Sequence, residues 1–173
     1  MKAIVYTKYG PPDVLQLKEA EKPAPKDDEV LIKVHAASLN AYDWHALTAD
    51  IFLVRLVGFG LLRPKNKILG ADIAGRVEAV GRNATQFKPG DDVFGDISHG
   101  GFAEYACARE NRLASKPANL SFEEAAAVPM AALTALQGLR DKGRIQSGQR
   151  VLINGASGGV GTFAVQIAKS FGA

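Results

Sequence analysis

Cysteine is almost absent from the 173-residue chain, and Cys107, standing alone, excludes both an internal disulfide and any metal cluster built on several thiolates. A reducing compartment fits that usage. Like-charge blocks are missing too: 21 basic and 18 acidic residues are spread along the sequence and leave a net charge of only +3, so nucleic-acid binding has no compositional support. No apolar run reaches membrane-spanning length. The run at residues 51–62 is interrupted by Arg55, Gly58 and Gly60, whereas a spanning helix takes about 20 apolar residues, and no stable membrane insertion is expected. The opening Met1-Lys2-Ala3-Ile4-Val5-Tyr6 lacks the basic start, long apolar stretch and small-residue cleavage site of a secretory signal, which makes a cytoplasmic protein the expectation. Histidine is scarce, and His35, His45 and His99 sit at no metal-ligand spacing.

What is present is a chain 47% hydrophobic and 23% charged, enough apolar material for one full core. Short β-type runs fall at residues 2–6, 14–18, 29–36, 73–80, 92–94, 103–106 and 112–115. Turn formers separate them: Tyr9-Gly10-Pro11-Pro12, Pro23-Ala24-Pro25 and Lys88-Pro89-Gly90-Asp91. These signals predict a β-rich domain over residues 1–118, of the tightly connected kind that suits a small barrel.

After Pro117 the texture changes. Ser121 followed three residues on by Glu124 is a capping-box signature ahead of Ala125-Ala126-Ala127, and Pro129 should break the helix it starts before the pattern resumes over residues 131–140. Arg150-Val151-Leu152-Ile153-Asn154 then reads as a short buried strand, with Gly155-Ala156-Ser157-Gly158-Gly159-Val160-Gly161 directly behind it. Val160, Ala164, Ile167 and Phe171 follow as one helical stripe. Strand, glycine turn and helix make the first βα unit of a doubly wound fold. A dinucleotide pyrophosphate needs a backbone bare of side chains and a helix amino terminus aimed at it. Residues Ala156, Ser157, Gly158, Gly159, Val160 and Gly161 are therefore the candidate cofactor turn; the alternative is a merely tight turn, since Ala156 replaces the first glycine of the usual pattern.

Three further stretches carry a resemblance: Pro25-Lys26-Asp27-Asp28-Glu29-Val30-Leu31-Ile32-Lys33-Val34, Ile68-Leu69-Gly70-Ala71-Asp72-Ile73-Ala74-Gly75-Arg76-Val77 and Phe87-Lys88-Pro89-Gly90-Asp91-Asp92-Val93. With the glycine turn they make the chain resemble the medium-chain dehydrogenase/reductases, and within them the zinc-independent, quinone-oxidoreductase-like branch. The resemblance implies mixed α and β architecture: a GroES-like β-rich catalytic domain over residues 1–118, then connecting helices and the first βα unit of an incomplete Rossmann domain over residues 119–173. It also implies zinc independence, because Asn40, Ala71 and Met130 stand where zinc-dependent members carry cysteine, histidine and cysteine.

The implied activity is hydride transfer from a reduced nicotinamide to a quinone or an α,β-unsaturated carbonyl, the cofactor carrying the chemistry. NADPH is the cofactor the resemblance favours, with NADH the alternative, and a homodimer is implied for the full-length form. The residue that reads the adenosine ribose normally lies about 20 residues past the glycines, beyond Ala173.

Each candidate side chain has a plainer reading beside the functional one. Asn40 and Asp43 match the family's Asn-x-x-Asp segment at the nicotinamide, yet both types also favour helix amino termini. Tyr42 is a candidate proton donor, although a phenol with a pKa of about 10 has no special claim to that role. Thr134 matches a family threonine near the nicotinamide ribose; alternatively it bonds back to its own helical turn. Cys107 reads as a small buried hydrophobe. Phe52 and Phe59 suit ordinary core packing, with a pocket wall or subunit contact as the alternative. Beside this enzyme stand three other readings: a catalytically inactive fragment of such an enzyme, an NAD(P)-dependent alcohol dehydrogenase by family label, and a non-catalytic interaction module.

Overall fold

The computed structural model describes residues 1–50 and 60–173. Phe52, Phe59 and most of the apolar run at residues 51–62 lie outside the described residues. The chain divides into two compact units, Met1–Ala127 and Val128–Ala173.

In the first unit, β1 (Lys2–Val5) pairs antiparallel with β2 (Gln16–Glu19). A five-stranded antiparallel sheet is built from β3 (Glu29–Ser38), β4 (Asp72–Val80), β5 (Asp92–Asp96), β6 (Tyr105–Arg109) and β7 (Leu113–Ser115), in the order β6-β3-β4-β5-β7. Alternation drives it: Ala106 and Ala108 on β6 turn inward with Val93 on β5, and they join Val30, Ile32, Ile73, Val77 and Leu113 in the main core. The register of β3 on β4 shifts between Leu31 and Ile32 and again between Val34 and Ala36, the extra residues of β-bulges, which bend a strand and sharpen its twist.

Helix α1 (Ala41–Thr48) follows β3 directly. Ahead of β4, Ile97 and Phe102 return to the loop at residues 69–71 through backbone bonds from Ile97 N–H to Ala71 O and from Phe102 N–H to Leu69 O. The opposite face of β4 is covered by α2 (Phe122–Ala126), whose Ala125 and Ala126 pack with Ala74. Small residues on both sides let helix and sheet approach closely. The capping box forms as read: Glu124 N–H donates to Ser121 Oγ at 3.1 Å, and Ser121 N–H to Glu124 Oε2 at 2.8 Å. Because α2 packs on the sheet, it belongs to the first unit, so that the division falls beyond the change of texture at Pro117.

Pro129 ends one helix and opens the next, α3 (Pro129–Leu136), where a missing N–H at the first position costs nothing. A π-helical turn, Gln137–Lys142, prolongs it, and α4 (Gly159–Ser170) packs against α3. Gly161, Ala164 and Ala168 form the buried side of α4, while Val160 and Phe171 of the expected stripe are 41% and 37% exposed. The expected strand at residues 150–154 does not form: among the described residues no strand pairs with it, and Leu152 is 96% exposed. An apolar segment becomes a strand only when a neighbour supplies its ladder bonds, a condition no local sequence contains.

Candidate functional site

Helix α1 begins at Asn40, whose extended backbone (φ −120°, ψ 159°) places it at the cap position. Asp43, three residues on, reaches back so that its Oδ2 accepts from Asn40 N–H at 2.9 Å, while its Oδ1 accepts from Gly70 N–H at 3.0 Å. The carboxylate thus fastens the helix start to the loop ahead of β4. It is 3% exposed, and burial pushes its pKa above the ordinary aspartate value, the backbone N–H groups of Asn40, Gly70 and Ala71 pulling the other way. Gly70 is held at φ +95°, and a Cβ there would lie 2.6 Å from Phe102 N, so only glycine brings that N–H to Asp43.

The Asn40 amide turns inward. Its Nδ2 donates to Asp72 Oδ2 at 3.1 Å and to Ser38 Oγ at 3.3 Å. Asp72, at the start of β4, has 0% exposure. Beside this polar group opens a cleft of about 450 Å³ with walls that include Leu39, Trp44, Leu47, Leu69 and Phe102, and with Asn40 and Asp43 at its polar edge. Few convergent polar groups in an apolar cavity of this size is the usual makeup of a small-molecule site.

Tyr42 is not part of that cleft. It lines a separate, much smaller cavity with Tyr6, Ser98 and His99, because successive helical residues are turned about 100° apart. Burial, then the charges of Asp96 and Asp43, raise its pKa; burial, then the neighbouring Tyr9 and Tyr42 and the charge of Asp43, push Tyr6 up to about 12. Burial keeps His99 on the low side of the usual imidazole range.

The second unit carries the other candidates. Thr134 is exposed on α3, and its hydroxyl donates to Met130 O at 2.7 Å, the bond back to its own turn. The glycine turn is exposed from Gly155 to Val160 and feeds α4 from its cap, Gly158. Its glycines differ in kind. A Cβ on Gly161 would sit 2.1 Å from Gly155 O and 2.7 Å from Ala156 Cα, whereas one on Gly159 would meet nothing within 4 Å and one on Gly158 only Gly155 O at 3.4 Å. Gly161 is required by the turn's own packing; Gly158 and Gly159 are not.

Among the described residues no three His, Cys, Asp or Glu side chains gather as a metal site would need, and no helix is long and apolar enough to cross a membrane. Cys107 on β6 is half-buried, and burial, aided by Glu29, pushes its thiol up to about 11. Alkylation by iodoacetamide at pH 8 should therefore run on the order of 100-fold slower than for an ordinary cysteine, since only the thiolate reacts; a rate within a few-fold of free cysteine would contradict the buried placement.

Sequence reading passed over Ser38, Asp72 and Trp44 as site residues. Trp44 was open to discovery, being four residues from Asn40 on one helical face. Asp72 becomes visible only when β4 is laid beside the end of β3, where Ser38 pairs with Asp72.

The family described as "Alcohol dehydrogenase GroES-like domain" matches residues 26–118. A quinone-oxidoreductase homolog, chloroplastic, from Spinacia oleracea is 43% identical over 98% of this chain and 52% of its own length. The 2-methylene-furan-3-one reductase of Solanum lycopersicum is 43% identical over the whole chain and 45% of its own length. Among solved structures, the quinone oxidoreductase from Coxiella burnetii superposes with a TM-score of 0.87 at 38% identity, covering 99% of this chain and 54% of that one. The chain thus spans about half the length of the relatives it matches. By its matched domain and by these likenesses it belongs to the medium-chain dehydrogenase/reductase superfamily, in the quinone-oxidoreductase-like branch with its alcohol dehydrogenase GroES-like domain.

Proposed function

We propose that this chain serves an NADPH-dependent, zinc-independent oxidoreductase that reduces a quinone or an α,β-unsaturated carbonyl. The observation that carries the reading is the bare backbone at Gly158 and Gly159. No described residue requires glycine there, yet side chains are withheld at the amino terminus of a 12-residue helix, where N–H groups without intrahelical partners favour an anion. A pyrophosphate fits both conditions. When bound, a reduced nicotinamide supplies the hydride, and the acceptor gains that hydride and a proton from solvent to become a hydroquinone or a saturated carbonyl. The apolar cleft beside Asn40 is suited to a flat, weakly polar acceptor, and Asp43 holds the helix that carries Asn40 in place. Thr134, exposed on α3, keeps its hydroxyl oxygen available as an acceptor toward the cofactor.

A second reading, that the chain alone is catalytically inactive, is favoured by the segment at residues 150–154, which has no partner strand among the described residues. Calorimetric titration with NADPH and with NADH, followed by NADPH oxidation at 340 nm in the presence of phenanthrenequinone, separates the two. The proposal expects saturable NADPH binding in the micromolar range, about −8 kcal/mol, abolished in Gly159→Leu with the helical circular dichroism unchanged. Binding without turnover would support the second reading; no binding of either cofactor would sink the first.

A further inference from the structure

Polar side chains from separate stretches of the first unit meet around one small space. Tyr6 follows β1, Tyr42 lies on α1, and Ser98 and His99 follow β5; with Asn66, Ala46 and Leu69 they line a cavity of about 10 Å³. That is room for the centre of one water molecule, which needs on the order of 10–15 Å³ and about two to four polar partners. The lining offers two phenol hydroxyls, a serine hydroxyl, a carboxamide and an imidazole. It carries no charge of its own at neutral pH, because burial holds Tyr6 and Tyr42 above the ordinary phenol value and His99 below the usual imidazole range. A neutral guest fits such a lining better than an ion does.

Ser98 adds a second observation. Its φ is +70°, in the left-handed region that glycine enters freely and other residues enter at a cost. The turn is held by Ser98 N–H donating to Asp96 Oδ1 at 2.8 Å and by Ile97 N–H donating to Ala71 O at 2.7 Å. Glycine would take this conformation with less strain; what serine brings instead is a hydroxyl on the cavity wall. The structure shows no direct hydrogen bond between the side chains of Ser98 and Tyr6.

We infer that this cavity is a binding site for one ordered water molecule, which joins the hydroxyls of Tyr6, Tyr42 and Ser98 and so ties α1 to the N-terminal strand and to the turn after β5. His99 and Asn66 line both this cavity and a groove of about 550 Å³ bordered by Lys26, Lys65 and Lys67. They form the partition through which the water exchanges with solvent. The site is separate from the cleft at Asn40 and does not depend on the proposed function.

A high-resolution crystal structure of the whole chain should show one peak at about 2.5–3.0 Å from at least two of Tyr6 Oη, Tyr42 Oη and Ser98 Oγ. In Tyr6→Phe it should be displaced or lost, and in His99→Ala, which joins the cavity to the groove, it should weaken. A cavity without such a peak, or one closed by direct bonds among these side chains, would overturn the inference; a peak unchanged in His99→Ala would refute the partition. Urea denaturation of Tyr6→Phe, Ser98→Ala and the double variant tests the same link in solution. Each single substitution should lower the folding constant about fivefold, the usual effect of one hydrogen bond, and the double variant by clearly less than the product, since both lose the same bridging molecule. Fully multiplicative losses would count against a shared water.

Discussion

Replacing Gly161 by valine should unfold the start of α4, lowering the stability of the second unit by about 3 kcal/mol, the upper range for overpacking, and abolishing NADPH binding with it. The Cβ alone would stand 2.1 Å from Gly155 O and 2.7 Å from Ala156 Cα. Both are backbone atoms, unable to swing away as a side-chain tip would, and Gly155 is itself committed at φ +71°. The control is Gly159→Ala. Its Cβ meets nothing within 4 Å, and alanine in place of glycine in a helix should leave stability unchanged or raise it by about 0.4–1 kcal/mol. Urea denaturation followed at 222 nm checks the pair. Equal midpoints for Gly161→Val and wild type would mean that the turn is not packed as described. Together with Gly159→Leu, the series separates a glycine kept for the fold from one kept for a ligand.

The second large effect is expected at Asp43. Asp43→Ala removes the acceptor of two backbone N–H groups, of Asn40 at 2.9 Å and Gly70 at 3.0 Å, and no water reaches a group 3% exposed to replace it. Hydrogen bonds to a charged partner contribute about 1.5–3 kcal/mol each, and an abandoned buried donor costs about 1–3 kcal/mol, so a loss of about 3 kcal/mol is expected. Asp43→Asn should recover only part of it, because its NH2 group must face one of the two N–H donors. Thermal or urea midpoints within error of wild type for Asp43→Ala would refute the fastening role. Since Asn40 rides on the helix start that Asp43 holds, reductase activity should fall in the same variants.

Much of this site was legible in the sequence, and the illegible parts share a cause. The Ser121–Glu124 box involves residues three apart, and it forms as read. The strands of the first unit announced themselves by alternation, with ends displaced by at most three residues. For Asn40, the cap weighed as its plainer reading is present, and the residue also borders the cleft. For Thr134, the back-bond weighed as its plainer reading is present, without excluding a cofactor contact. What the sequence hid is nonlocal. Leu15, Leu69 and Phe102 meet in one cleft from three distant segments, and the segment at residues 150–154 has strand composition but no partner strand among the described residues. The register shifts between β3 and β4 were hidden for the same reason, since a register exists only between two strands.

Trp44, the only indole in the chain, stands 49% exposed at the wall of the apolar cleft. The protein therefore carries a built-in optical gauge of its own cavity: the wavelength and intensity of tryptophan emission come from a single place, free of background from other indoles. A guest displacing water there shifts the colour of that light, so a library of acceptors can be ranked by eye of the instrument before any turnover is sought.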